Sequence, residues 1–266
     1  MSDENHKFDV FHFSQPNEEY LFSERNAELL SLLQNLNDAL DHALSHSVVA
    51  NRKGLTIFML ARRCSIDFEE ILLLASNGHG FAALGILRGM FEKLVDATYL
   101  HQHPDEVDAF WDYHLVQLEK LDYSDIAQKF DLNWKIVVGQ FKKPGKRGVR
   151  TQPRWAKGNL VKTANDVGLG VHLKHAYYLP NLSIHNSAAE IMFALEEGAN
   201  GRVTPVDSNN PKERRMADLA LIQGIFLLLR MLELNVEHYS WSDSKSLLEK
   251  CVDAFGKYIQ PQAQEL

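Results

Sequence analysis

Apolar residues along most of the chain recur every three or four positions, the period of a helix with one buried face. Leu29, Leu30, Leu33, Leu36, Leu40 and Leu44 predict a first long amphipathic helix, with Ser23 as its N-cap and an end near residue 49. Residues 54–76 are apolar on most sides, which predicts a central helix closed by the Asn77-Gly78-His79-Gly80 turn. A third helix runs from Phe81 to Gln102. Pro104 opens a fourth, with Asp105 and Glu106 in its first turn, running to about residue 130. Shorter helices are expected at 158–167 and 171–179. Pro180 then predicts a break, because its ring removes a helical hydrogen bond and pushes Leu179 out of the helical region. Further helices are predicted at 183–196, 212–238 and from Ser242 to Tyr258, with a loop between the first two of these.

This succession predicts an all-α fold, a multi-helix up-and-down bundle with additional helices and one basic loop. Residues 1–22 read as an N-terminal arm and 23–266 as one helical domain. The 266 residues are 45% hydrophobic and 24% charged, an ordinary globular composition. Cys64 and Cys251 both fall in apolar-periodic stretches, so buried reduced thiols are expected rather than a disulfide. The acidic start lacks a signal pattern, and the apolar runs are short or interrupted, so a cytoplasmic protein with no membrane contact is expected.

Charge changes the picture at one place. The formal net charge is -7, yet residues 142–158 hold seven basic side chains and no acidic one. Prolines and glycines there forbid a regular helix. Lys142, Lys143, Lys146, Arg147, Arg150 and Arg154, with Trp155 for stacking, form a candidate nucleic-acid-binding loop on an acidic body. The competing reading is a solvated connector.

Two stretches carry candidate chemistry. On the third helix Arg88 and Glu92 are four apart, and Tyr99 falls on the same stripe. Burying such a pair costs desolvation, so it is either an internal tether or an arginine held ready for an anion. In the second stretch, "YLPNLSIHNSA" (178–188), Asn181 or Ser183 can cap a helix that starts there. His185 then lies in its first turn, where the dipole keeps the imidazole neutral and able to act as a base. The bland reading is two caps and a packed ring. His101, His103, Asp105 and Asp108 straddle a helix end and diverge, so no metal site and no cofactor are expected.

Together, "ALGILRGMFEKLVDATYL" and "YYLPNLSIHNSA" resemble a bacterial helical family catalogued as a domain of unknown function, whose pattern is an Arg-x-x-x-Glu helix and, further along, a Tyr…Ser-x-His segment. A looser likeness is to HEPN proteins, helical ribonucleases and toxins of bacterial defence systems. Their arginine-to-histidine motif is degenerate here, because Pro180 stands where the arginine belongs. Arg230 and His238 come nearest to its spacing, with seven residues between them.

The HEPN likeness implies a defence or stress effector with metal-independent ribonuclease activity. Arg88, Glu92 and His185 would then be catalytic, and Tyr99, Tyr178, Asn181, Ser183 and Asn186 would hold substrate. The implied partners are RNA, a protein of a defence or toxin–antitoxin system, and a second copy paired through the apolar helix 212–238. The alternative is a non-catalytic helical module that binds a protein, nucleotide or nucleic acid through the same cleft.

Overall fold

The computed structural model describes residues 17–45, 51–131, 133–145, 148–152, 154–156, 158–184, 195–197, 203–205, 211–239 and 242–262. The all-α expectation holds. Among these residues the only strands are two short antiparallel hairpins.

Three long helices form the centre: α3 (Arg52–Ser76), α4 (Gly80–Gln102) and α10 (Pro211–Tyr239). α4 is buried on several sides through Leu84, Leu87, Met90, Phe91 and Leu94, and α10 packs on both α4 and α3, burying Leu221, Leu228 and Leu232. Their close approach needs a glycine. A Cβ at Gly80 would lie 2.1 Å from the Glu213 carbonyl oxygen and 2.5 Å from the Ala217 nitrogen. Beside it, the Glu213 carboxylate accepts a hydrogen bond from the Phe81 backbone N–H at 3.0 Å, satisfying one of the open donors at the start of α4. Gly78, at φ 80°, makes the left-handed turn between α3 and α4, as the sequence predicts.

α10 contains a stretch, Pro211–Val236, long and apolar enough to cross a membrane, and most of its apolar window is buried within the fold. This helix packs on α3 and α4.

The N-terminal elements wrap this centre. α1 (Glu18–Arg25) and α2 (Ala27–Ser45) lead in, and α11 (Ser242–Gln262) packs along α2. The expected arm, 1–22, overlaps a helix that begins at Glu18 and buries Phe22; residues 1–16 lie outside the described residues. Ser23 is not a cap; its hydroxyl donates to the Glu19 carbonyl from inside α1. Glu18 is fully buried and receives Arg25 at 3.0 Å and Arg214 at 2.7 Å, which ties α1 to α10. Cys64 and Cys251 are buried free thiols, and burial pushes both thiol pKa values up.

A second hydrophobic cluster hangs from the far end of α4. A 3-10 turn (Pro104–Glu106) leads to α5 (Val107–Lys120), α6 (Ser124–Phe130) and α7 (Trp134–Gln140). The predicted helix to residue 130 is cut at Asp122, which is left-handed at φ 60°. The Tyr123 N–H bonds back to the Leu118 carbonyl at 2.9 Å, a Schellman-type ending. Sequence reading missed α7, whose Trp134 and Val138 are buried.

The predicted basic loop is a hairpin. β1 (Lys142–Gly145) pairs with β2 (Gly148–Thr151), with Lys143 opposite Arg150. Trp155, just beyond it, is buried in this second cluster.

Next come α8 (Leu160–Asp166), capped by Asn159, and a 3-10 turn (Gly170–His172). Here the expected break fails. A π-helical turn (Lys174–Tyr178) runs straight into α9 (Leu179–Ile184). Leu179 is helical at φ -62° and ψ -47°. Pro180 is tolerated because its missing N–H coincides with the change from the wider π bonding to α bonding. Asn181 and Ser183 consequently lie inside α9. Strand β3 (Leu195–Glu197) pairs with β4 (Val203–Pro205), so the predicted helix cannot extend to 196, and the predicted loop holds a strand.

Candidate functional site

Arg88, Glu92 and Asp96 are four residues apart on α4 and form one stripe of alternating charge. Arg88 Nε donates to Glu92 Oε1 at 2.9 Å, and the side chains are 24% and 40% exposed. The pair is thus half-open to solvent, not enclosed as the apolar neighbours suggested. Its own contribution to stability is small. What the pair does is fix a direction: Glu92 takes one edge of the guanidinium. The flat face lies over the Tyr177 ring, with the guanidinium carbon 5.2 Å from the ring centroid.

Tyr177 reaches this position from the π-turn. One extra residue in a helical turn rotates the next side chains by about 100° around the axis. Tyr177 then packs on α4 beside Phe91 at 6.5 Å between ring centroids, while Tyr178 turns outward and is 48% exposed. The sequence pattern pointed to Tyr178; Tyr177 meets the arginine. Asp96 was also missed, although its i+4 spacing from Glu92 was a usable signal.

Asp96 holds Arg154, which arrives from beyond the hairpin and donates to Asp96 Oδ1. The two side chains are 15% and 16% exposed. Burial pulls the Arg154 pKa down to about 10, although nearby Glu92 and Tyr177 act in the opposite direction. Arg154 Nη1 and Trp155 Nε1 are both buried donors without an acceptor among the described residues. The structure therefore joins two regions that the sequence kept apart: the α4 stripe and the basic segment.

The other candidates separate. Tyr99 is on α4, but eleven residues beyond Arg88, about 16 Å along the axis. It stacks on His103 at 4.3 Å and edge-on to Trp155 at 5.5 Å, and burial raises its pKa, helped by Glu106 and Asp105. It belongs to the second cluster and not to a cleft shared with Arg88. Trp155 is 5% exposed and also meets Phe110 at 5.2 Å, so the ring proposed for stacking is already packed. Lys142 pairs with Glu119 at 2.8 Å. Lys143 is exposed, and Arg150 is placed by the register opposite it.

Asn181 is half-buried in α9, and its Oδ1 is a buried acceptor with no donor among the described residues. α9 packs on α4. His185 and Asn186, which come directly after α9, lie outside the described residues, as do Lys146 and Arg147, and so does the Ser183 side chain. Among the described residues no three of His, Cys, Asp and Glu converge as metal ligands, and His103 is engaged with Tyr99.

Arg88 therefore presents a positive charge whose orientation is set by a carboxylate and an aromatic face. That arrangement suits a planar or tetrahedral anion. No curated protein and no solved structure matches the chain. Residues 55–202, which carry Arg88, Glu92, Asp96, Arg154 and Tyr177, match the model of a family of unknown function (DUF5677); with more than half its length covered, the chain belongs to that family.

Proposed function

We propose that the chain is a HEPN-like effector of a bacterial defence or stress system, a cytoplasmic protein that binds RNA at the α4 face and cleaves it without a metal. What supports this reading is Arg88, partly open to solvent and oriented by Glu92 and Tyr177 on the helix that receives α9. His185 is the next residue after α9 in the sequence. In the proposed reaction Arg88 binds the scissile phosphate. The imidazole of His185 takes the proton of the 2′-hydroxyl, whose oxygen attacks the neighbouring phosphorus. The 5′-oxygen leaves and takes up a proton, giving a 2′,3′-cyclic phosphate and a free 5′-hydroxyl.

A second reading is a helical module that binds a phosphate-bearing partner and does no chemistry. It is favoured by the state of the basic segment. Trp155 is packed, and Lys142 and Arg154 already hold carboxylates, so fewer groups remain to track an RNA strand.

The test is incubation of the purified full chain with single-stranded RNA in the presence of a chelator, beside His185→Ala and Arg88→Ala variants whose folding is checked by circular dichroism. Cleavage with cyclic-phosphate ends is expected from the wild type, falling roughly 100-fold or more in His185→Ala. RNA that binds to the wild type, and weakly to Arg88→Ala, but stays intact would replace the enzyme with the binding module.

A further inference from the structure

The outward face of α3 is the wrong composition for a surface helix. Its inner face supplies Ile57, Ala61, Cys64, Phe68 and Ile71 to the core. The opposite face of such a helix is normally polar. Here Leu55, Met59, Ile66 and Leu73 are exposed at 36%, 49%, 38% and 65%. Met59, Ile66 and Leu73 are seven residues apart, the repeat of a helix seam. A groove lined by Asp41 of α2 and Arg62, Ile66 and Glu69 of α3 runs beside it.

The charges around this stripe are arranged about its centre. Arg62 and Arg63 precede Ile66 by four and three residues; Glu69 and Glu70 come three and four residues after it. We propose that this face joins two copies of the chain, with their α3 helices antiparallel across a two-fold axis at Ile66. Residues at similar distances from Ile66 and on the same side of the stripe then meet. Ile66 packs on Ile66, Met59 packs on Leu73, and Arg62 of each copy faces Glu69 of the other, while Arg63 stays with Asp67 and Glu70 of its own chain. A parallel pairing would set arginine on arginine. A two-fold axis requires a self-complementary patch, and this arrangement is one. Arg62 and Glu69 form no ion pair within their own chain among the described residues, so both are available to a second copy.

From Leu55 to Leu73 the stripe is about 27 Å long. One helix face of this length is smaller than a standard interface, so the dimer is expected in the micromolar range. The proposal is independent of any RNA chemistry.

Sedimentation equilibrium of the full chain from about 1 μM to about 100 μM tests it. The wild type is expected to dimerise across this range. Ile66→Glu changes an exposed position, so circular dichroism and melting stay as in the wild type, while dimer affinity falls roughly 30-fold or more. Arg62→Glu and Glu69→Arg each weaken the dimer, and the two together recover it, because each reversed charge meets its opposite on the other copy. A wild type that stays monomeric throughout overturns the proposal and hands the stripe to another protein or to residues 1–16. A dimer that survives Ile66→Glu overturns it as well, as does a double reversal no tighter than the single ones.

Discussion

Arg154 is the residue whose role changed most between sequence and fold. In the sequence it is one of seven basic residues in a short segment. In the structure it is a nearly buried cation resting on Asp96, with a second donor nitrogen left without an acceptor among the described residues. A charge in that state depends on its one strong partner. Asp96→Ala removes the partner and keeps the charge, so it is expected to destabilise the fold by about 2–3 kcal/mol. Urea unfolding measures this. Adding Arg154→Met to Asp96→Ala recovers a large part of the loss, since the stranded charge is then gone. If the single variant unfolds like the wild type, the pair contributes nothing and Arg154 is open to a ligand. The sequence shows that Arg154 is basic but does not show that its neighbours bury it.

The elements were legible wherever one physical cause dominated. α3, α4 and α10 come from apolar periodicity alone, and Gly78 marks the turn between the first two. The misreadings came where two causes compete. Pro180 breaks a helix by local rules, yet a π-turn placed before it removes the conflict and carries α9 onward. Asp122 ends α5 in a conformation usually left to glycine, so composition gave no warning. Gly80 lies between these cases: a glycine at a helix start is unremarkable until α10 is seen against it. The atoms that a Cβ would meet are backbone atoms of α10, at 2.1 and 2.5 Å, and no side chain can swing aside to make room. Gly80→Ala is therefore expected to cost about 2–3 kcal/mol, more than an exposed helical glycine would gain from alanine. Thermal melting checks it, with a lowered midpoint expected; an unchanged or raised midpoint would mean that α10 shifts easily over the start of α4.

At the scale of the whole molecule, the chain builds two hydrophobic clusters and threads α4 through both. The larger is made by α2, α3, α4, α10 and α11, with Phe22 of α1, α8 and the turns before α9 packed against them; the smaller by α5, α6, α7, the residues after the hairpin and the end of α4. No composition shift marks the smaller cluster, which is why one helical body was expected from residue 23 onward. The smaller cluster is held by fewer and shorter helices, and short helices depend on tertiary packing for their stability. It is thus expected to open first, as a local unit, before the central helices separate. Tryptophan makes this measurable. Trp134 and Trp155 are buried in the smaller cluster, and Trp111 packs against it, whereas the larger cluster contains none among the described residues. With Trp241, which lies outside the described residues, replaced by phenylalanine, fluorescence tracks the smaller cluster, while far-ultraviolet circular dichroism is dominated by the long helices. In a urea titration the fluorescence midpoint is expected at lower denaturant than the dichroism midpoint. Coincident midpoints would mean instead that α4 couples the two clusters into one cooperative unit. Under the expected order, opening the smaller cluster releases Arg154 from Asp96 while Arg88, Glu92 and Tyr177 stay in place on α4, so the oriented arginine outlasts the segment packed beside it.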